Sequence, residues 1–544
     1  MAGFSYRSVA MLREVTPRLF LVYMFMSIGA INFGFDNGWW GTLIALPQFI
    51  NRFGVKDPSS GEYILPSSWQ SAGSGTGNAG MAIGCIIASP LISRIGRKNT
   101  VLVILTIALI GMVLQNAIPS YWGIMVGRMI NAISMGLEAN NIPIFMSELS
   151  PPAIRGSLVN FYQWWQIVGV IFSRIIVLRS NVMWPVGSDN VNWAWRLVMV
   201  IQMVIPVIML GIYWILPESP NWLLSKGRRE DARAALLYIR KDSASEAEVD
   251  QELALIEASV AEQQEYHKAN SYWDCFKGSN GRRTFIASGV QFLEQFSGNA
   301  FSSSYSVIFM KEVGISDLFQ SNMARSCMSL AGATLGFYLP DKIGRRWLLM
   351  STAFFMWACM WTTSGIVAWL PGGITGGMSK FMLFLQLFWA FLSTGGWGSV
   401  VWIITAESGT SQLREKTVSI ATTVSFIAVL LVSYINPFIQ GAPSNLGGKV
   451  GFIYGSFSFI AIFFVYFFVP EMKGRSLEEL DELFQAGIPA RHFGKYKASG
   501  LGAQITEVQN VNADPTMHLT KGMAVTEGIE EVPEAVNAQP IVKD

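Results

Sequence analysis

PESPNWLLSKGRREDARAALLYIRKDSASEAEVDQELALIEASVAEQQEYHKANSYWDCFKGSNGR, residues 217–282, is the most hydrophilic interior stretch of the chain and holds 21 of its 76 Asp, Glu, Lys and Arg residues. On each side of it lie six apolar runs of about 20 residues, the length a helix needs to cross hydrocarbon. Landmarks before the stretch recur after it. SRIGRK at 93–98 answers to DKIGRR at 341–346, Glu148 with Arg155 to Glu407 with Arg414, and PESP at 217 to PEMK at 470. Three matched pairs at nearly one offset predict a duplicated six-helix unit, a parallel repeat that places a transport site between two halves.

Composition agrees. Of the 544 residues 51% are hydrophobic and only 14% charged, which describes a polytopic membrane protein and excludes a soluble one. The expected organisation is an all-α membrane protein of twelve transmembrane helices: a lead at 1–17, one six-helix half at 18–216, a helical linker at 217–282, the second half at 283–470, and a mostly disordered polar tail at 471–544. Net charge is +2, so no nucleic acid is expected as a partner. Arg94, Arg97, Lys98, Arg155, Lys342, Arg345, Arg346, Arg414 and Lys416 gather on one side's short loops, and the other side's connections carry few, among them Arg52, Lys56, Arg179, Lys380 and Lys449. The positive-inside bias then puts both termini and the linker in the cytoplasm. Four Cys without CxxC spacing and three His outside the spans suggest no disulfide framework, metal site or cofactor.

Polar residues inside the spans mark candidate sites. Asp36, in GFDNG of span 1, is costly in hydrocarbon and is expected to face a cavity. Arg128 of span 4 needs a counter-charge, for which Asp36 is the nearest candidate, as either a packed or a switchable pair. Glu138 of the same span is a candidate partner for Arg174 of span 5. The run SAGSGTGNAG in span 2 allows close helix packing and lacks the context of a phosphate loop. FYQWWQ, at 161–166 in span 5, offers Gln163 among aromatic rings, which suits a polyhydroxylated ligand and equally a packed helix interface. Span 7 reads GVQFLEQFSGNAFSSSYS, too polar to face lipid, with Gln291, Glu294, Gln295 and Asn299 at i, i+3, i+4 and i+8 on one face. Glycines in span 10 loosen the helix beside Trp402, and Ser425 lies on a mixed face of span 11.

In this order GFDNG, GRMINAISMG, PIFMSELSPPAIRG, WAWRL, LPESPNWLL, DKIGRR and PEMKGRSLEELDELF resemble the sugar porter family of the major facilitator superfamily, most closely its fungal members, over about 19–484. The resemblance implies the major facilitator fold of two six-helix halves, alternating access and sugar as substrate. It implies sugar contacts for Gln163, Gln295 and Trp402, a proton-carrying Asp36 modulated by Arg128, and inner-face ion-pair latches from Arg97, Glu148 and Arg155 and from Arg345, Glu407 and Arg414. Departures are also plain. Glu294 replaces the usual first Gln of the pair in span 7, Asn299 lies one position early, and Ser93 replaces the Asp that opens the first GR turn. The expectation is therefore a plasma-membrane sugar carrier of the proton-symporter type, embedded in the bilayer, with a hexose or related mono- or disaccharide and a proton as partners and no obligate protein partner. A facilitative sugar or polyol carrier and a non-transporting sensor are the rival readings; no enzyme chemistry is implied.

Overall fold

The computed structural model describes residues 16–495 apart from 57–60, 150–154, 242–244, 270, 316, 370–375, 411–412, 442–443, 474 and 476. Outside the linker, the described residues form twelve helical segments of 18 residues or more. Spans 1 to 6 are Pro17–Leu43, Ser67–Ile95, Arg97–Ala117, Tyr121–Leu149, Arg155–Met183 and Trp193–Ile212. Span 7 begins at Gly278 and continues past a wide turn to Glu312, and span 8 is Leu318–Gly336. Spans 9, 11 and 12 are Arg345–Trp369, Arg414–Gln440 and Gly451–Phe468, and span 10 runs from Gly376 to Ser408 through a second wide turn. Spans 1, 2, 3, 5, 6, 10, 11 and 12 are long and apolar enough to cross a membrane by composition alone. Span 7 starts at Gly278, five residues before the expected boundary at 283. The 44–66 connection, expected as a polar loop, holds a helix, Pro47–Phe53, whose Phe49 and Phe53 rings meet Trp195 edge-on, and a two-residue antiparallel pair of Val55–Lys56 with Tyr63–Ile64.

Within the halves, span 1 packs on span 5, span 2 on span 4, and span 9 on span 12. Small residues permit this: a Cβ at Gly34 would overlap the carbonyl of Gln166 in span 5. The halves meet where spans 1 and 7, 2 and 11, and 5 and 8 touch. Several of these contacts lie at the end remote from the linker. There a Cβ at Gly41 would sit 2.6 Å from the carbonyl of Ser304, Ser71 Oγ donates to the carbonyl of Tyr434 at 2.8 Å, and Asn322 Nδ2 donates to Thr42 Oγ1 at 3.2 Å.

The matched landmarks do the same physical job in each half. Gly96 and Gly344 take φ of +92° and +99°, a conformation glycine adopts without strain, and each immediately precedes a helix. The first free amides of those helices are capped by a carboxylate from the end of the same half. Glu218 Oε1 accepts from the amides of Arg97 at 2.8 Å and Lys98 at 3.1 Å, and Glu471 from those of Arg345 at 3.0 Å and Arg346 at 3.2 Å. An added Cβ at Gly344 would lie 2.6 Å from Glu471 Oε2. Gly344→Ala is therefore expected to cost about 1–3 kcal/mol, from the left-handed backbone and the displaced cap together. Thermal unfolding against Gly377→Ala, a site with nothing within 4 Å, measures it; equal unfolding temperatures contradict the cap.

The linker forms helices at Pro220–Ser225, Arg229–Ile239 and Glu246–Ala269, around a small core of Trp222, Leu223, Leu236 and Leu253. Thr16 Oγ1 donates to the carbonyl of Ile239 at 2.6 Å and ties this layer to the foot of span 1. Beyond span 12, the helix Leu477–Gln485 docks on span 7 through Asp481, which pairs with the buried Arg283. Residues 477–485 and 490–495 thus form short helices at the start of the tail; the segment expected to be disordered, from about 495 on, lies outside the described residues beyond 495.

Candidate functional site

Span 7 supplies the centre. Its helix widens at Gln295–Asn299, where i→i+5 bonding replaces i→i+4, and Gly298 takes φ +111°. Residues five apart then stand one above the other. Asn299 Nδ2 points at Glu294 Oε1 at 3.5 Å, and Gln295 Nε2 reaches Glu294 Oε2 at 3.3 Å and Ser425 Oγ of span 11 at 3.2 Å. The wide turn changes the register that regular helical spacing implies: Asn299 joins the group through Glu294 rather than through an i+8 alignment with Gln291.

Span 10 has a wide turn at Ser393–Gly398, rich in glycine, which brings its backbone close. Gln163 Nε2 of span 5 donates to the carbonyl of Gly398 at 3.3 Å, and a Cβ at Gly398 would lie 4.0 Å from Glu294 Oε1. Gln163, Glu294, Gln295, Asn299 and Ser425 therefore gather around one point, from both halves of the protein. Glu294 is 5% exposed, and amides are its partners. Trp402 lies one turn further along span 10 and keeps 37% of its surface open. Gln291 is set apart: fully buried, it donates to Thr405 Oγ1 at 3.1 Å and leaves its own Oε1 without a partner.

Asp36 is buried in the other half. Its Oδ1 accepts from Trp39 Nε1 at 3.0 Å and its Oδ2 from Asn131 Nδ2. The anticipated direct pair with Arg128 does not form. Arg128 donates to the carbonyl of Gly73 at 2.6 Å and lies 4.2 Å over the Trp40 ring and 5.6 Å over that of Trp39. Trp39 thus stands between the two charges, giving its N–H to the acid and its ring face to the cation. Span 2 lets the guanidinium in because Gly77 offers no side chain there: a Cβ would be 3.2 Å from Arg128 Cζ. The candidate Glu138–Arg174 pair is also absent, because Arg174 turns across the interface to Asn322 and Ser326 of span 8.

At the linker end, Arg97 pairs with Glu148 at 2.7 Å and Arg345 with Glu407 at 3.2 Å, each bridge lying within one half. Ser219 Oγ also donates to Glu148. Arg414 opens span 11 against Gly409, and the side chain of Arg155 lies outside the described residues.

Asn131, Thr405 and Gly398 escaped the sequence reading. Asn131 comes three residues after Arg128, one helical turn, and that spacing was a usable signal. Thr405 and Gly398 carried none, since a hydroxyl bonded within its helix and a backbone carbonyl look alike in every apolar span. No group of His, Cys, Asp and Glu able to hold a metal occurs among the described residues.

The sequence model of the family described as "Sugar (and other) transporter" matches residues 22–484. The low-affinity glucose transporter HXT3 of Saccharomyces cerevisiae is 29% identical over 91% of this chain and 86% of its own length. The galactose transporter of the same yeast is 28% identical over 86% of this chain and 81% of its own, and the high-affinity glucose transporter ght2 of Schizosaccharomyces pombe 27% over 95% of each. Among solved structures, the inward-open xylose transporter XylE from E. coli superposes with a TM-score of 0.68 at 22% identity, covering 85% of this chain and 99% of that one. XylE described as a proton:xylose symporter, bound to 6-bromo-6-deoxy-D-glucose, gives 0.67 over 86% and 98%, again at 22% identity. These two likenesses establish the fold. With its family sequence matched across nearly all twelve helices, the chain belongs to the sugar (and other) transporter family and is a multi-pass membrane sugar transporter built on the major facilitator fold.

Proposed function

We propose that the protein carries a hexose or a related mono- or disaccharide into the cell across the plasma membrane, by alternating access and in company with a proton. The observation that carries this reading is the polar group drawn from spans 5, 7 and 11 around Glu294. A sugar hydroxyl both donates and accepts, and here carboxylate and carbonyl acceptors lie beside amide donors while Trp402 offers a ring face. Glucose and galactose transporters among the relatives favour a hexose. A proton:xylose symporter among the structural neighbours favours coupling, with Asp36 as the proton carrier and Arg128 as its modulator. The linker side is then cytoplasmic, as are both termini, and the remote end is the outer face.

In this reading the Arg97–Glu148 and Arg345–Glu407 pairs, with Arg155 and Arg414, are latches at the inner face that form and break between states. The wide turns of spans 7 and 10 are the places where backbone yields as the halves rock. The second reading is an equilibrative carrier, favoured by the hydrogen bonding of Asp36 to Trp39 and Asn131 rather than directly to Arg128.

Uptake of labelled glucose, galactose, xylose, maltose and lactose into transport-deficient yeast, with and without a protonophore, decides. Accumulation that collapses with the protonophore is the expected result. Uptake that only equilibrates selects the second reading, and no uptake of any of the five overturns sugar uptake as proposed.

A further inference from the structure

Spans 5 and 8 each place an arginine in the membrane interior where the halves meet. Arg174 is 5% exposed and Arg325 6%. Arg174 Nη1 donates to the carbonyl of Asn322 at 3.1 Å and to Ser326 Oγ. Arg325 reaches Ser302 of span 7, Nη1 to Oγ at 2.5 Å and Nη2 to the carbonyl at 3.2 Å. Every one of these acceptors is neutral. Neither guanidinium has a carboxylate partner among the described residues, and the two groups that hold Arg174, Asn322 and Ser326, flank Arg325 on span 8. The Nε of each is buried without a hydrogen-bond partner.

Two like charges in hydrocarbon, each with an orphaned donor, cost several kcal/mol unless an opposite charge joins them. Among the other buried arginines of the described residues each has an acid: Arg283 has Asp481, Arg345 has Glu407 and Arg240 has Glu252. The position of the pair matters as well. Arg174 stands eleven residues after Gln163, which returns to the same helix face about 16 Å further toward the outer end. Ser302 stands three after Asn299. The arginine pair therefore lies beyond the polar group at Glu294, beside the Thr42–Asn322 contact between the halves.

We propose that Arg174 and Arg325 form an anion site at the outer gate, taking one small monovalent anion, either an inorganic halide or a carboxylate. The site is built from both halves, since Arg174 comes from span 5 and Arg325 from span 8. Opening the outer face draws Arg174 away from Asn322 and Ser326 and splits it. The anion thus binds the outer-closed state preferentially and shifts the population toward it.

The test is anion titration of the purified full-length protein in detergent, at constant ionic strength with a bulky sulfonate as balancing salt, read by thermal unfolding. Chloride or acetate is expected to raise the unfolding temperature by about 2 °C at about a hundredfold above Kd, rising with the logarithm of concentration as mass action on the folded state requires. Arg174→Gln and Arg325→Gln are expected to remove the rise. Should these fail to fold, Arg174→Lys and Arg325→Lys keep the charge but lose the fork, and a weakening of the apparent Kd by about threefold or more is expected. A response to chloride, with or without acetate, identifies a free small anion as the ligand. A response confined to a sugar acid such as glucuronate, with inhibition of hexose uptake, identifies the carboxylate of a transported molecule as the source. No rise with any of these anions in the wild type, or a rise that neither the Gln nor the Lys variants alter, overturns the proposal.

Discussion

Asp36→Asn is expected to abolish accumulation of sugar against its gradient while leaving the protein folded and able to exchange sugar across the membrane. A proton-motive force of 100 mV is worth about 2.3 kcal/mol per charge moved, a concentration ratio on the order of fifty-fold. A carrier whose proton site cannot ionise loses all of that and equilibrates at a ratio of one. Folding survives for a specific reason. In the native protein both carboxylate oxygens accept, from Trp39 and from Asn131. A replacement amide can still accept from Trp39, and its new donor finds an acceptor if Asn131 turns its side chain over, because Asn131 Oδ1 is buried without a partner. Counterflow in proteoliposomes reports exchange, and accumulation with an imposed gradient reports coupling. Intact coupling in the variant removes Asp36 as proton carrier; lack of accumulation in the wild type makes the protein equilibrative.

The second large effect separates two glutamines four residues apart. Gln295→Ala removes the amide that holds Glu294 to Ser425, and with it a donor at the point where spans 5, 7, 10 and 11 converge. KM for the transported sugar is expected to rise about 10- to 100-fold, equivalent to about 1.4–2.8 kcal/mol, as for lost hydrogen bonds to and around a bound polar ligand. Gln291→Ala should behave differently. Its side chain is fully buried and spent on Thr405, so unfolding temperature should fall while KM stays within about twofold. Equal KM effects at both positions would mean that Gln291 reaches the sugar in a state other than this one. An unchanged KM in Gln295→Ala removes the Glu294 group as the sugar site.

The turn at Gln295–Asn299 is the reason that one glutamine was separable from the other only in three dimensions. Regular spacing puts Gln291, Glu294, Gln295 and Asn299 on one face. An extra residue in the turn, tolerated because Gly298 can take φ +111°, rotates the remainder of the helix, and Asn299 meets Glu294 instead. The glycine was visible in the sequence, but many membrane helices carry glycine without widening. Arg325 is a similar case. An arginine in SNMARSCM is an obvious oddity in an apolar run, yet its meaning depends on Arg174 approaching from the other half.

By itself, the sequence determined whatever depends on composition and local order: the bilayer as solvent, the spans, the linker helices, the repeat, and the landmarks that cap and bridge each half. Hydropathy and short spacing encode these directly, because a helix in lipid must satisfy its own backbone and hide its own charges. Only the tertiary structure decided which polar groups face one another. Asp36 takes Asn131 and Trp39 in place of Arg128, and Arg174 takes span 8 in place of Glu138. Such choices turn on the rotation and depth of one helix against the next, set by glycine contacts such as Gly34 on Gln166, and a shift of one residue, about 1.5 Å and 100°, is enough to exchange one partner for another.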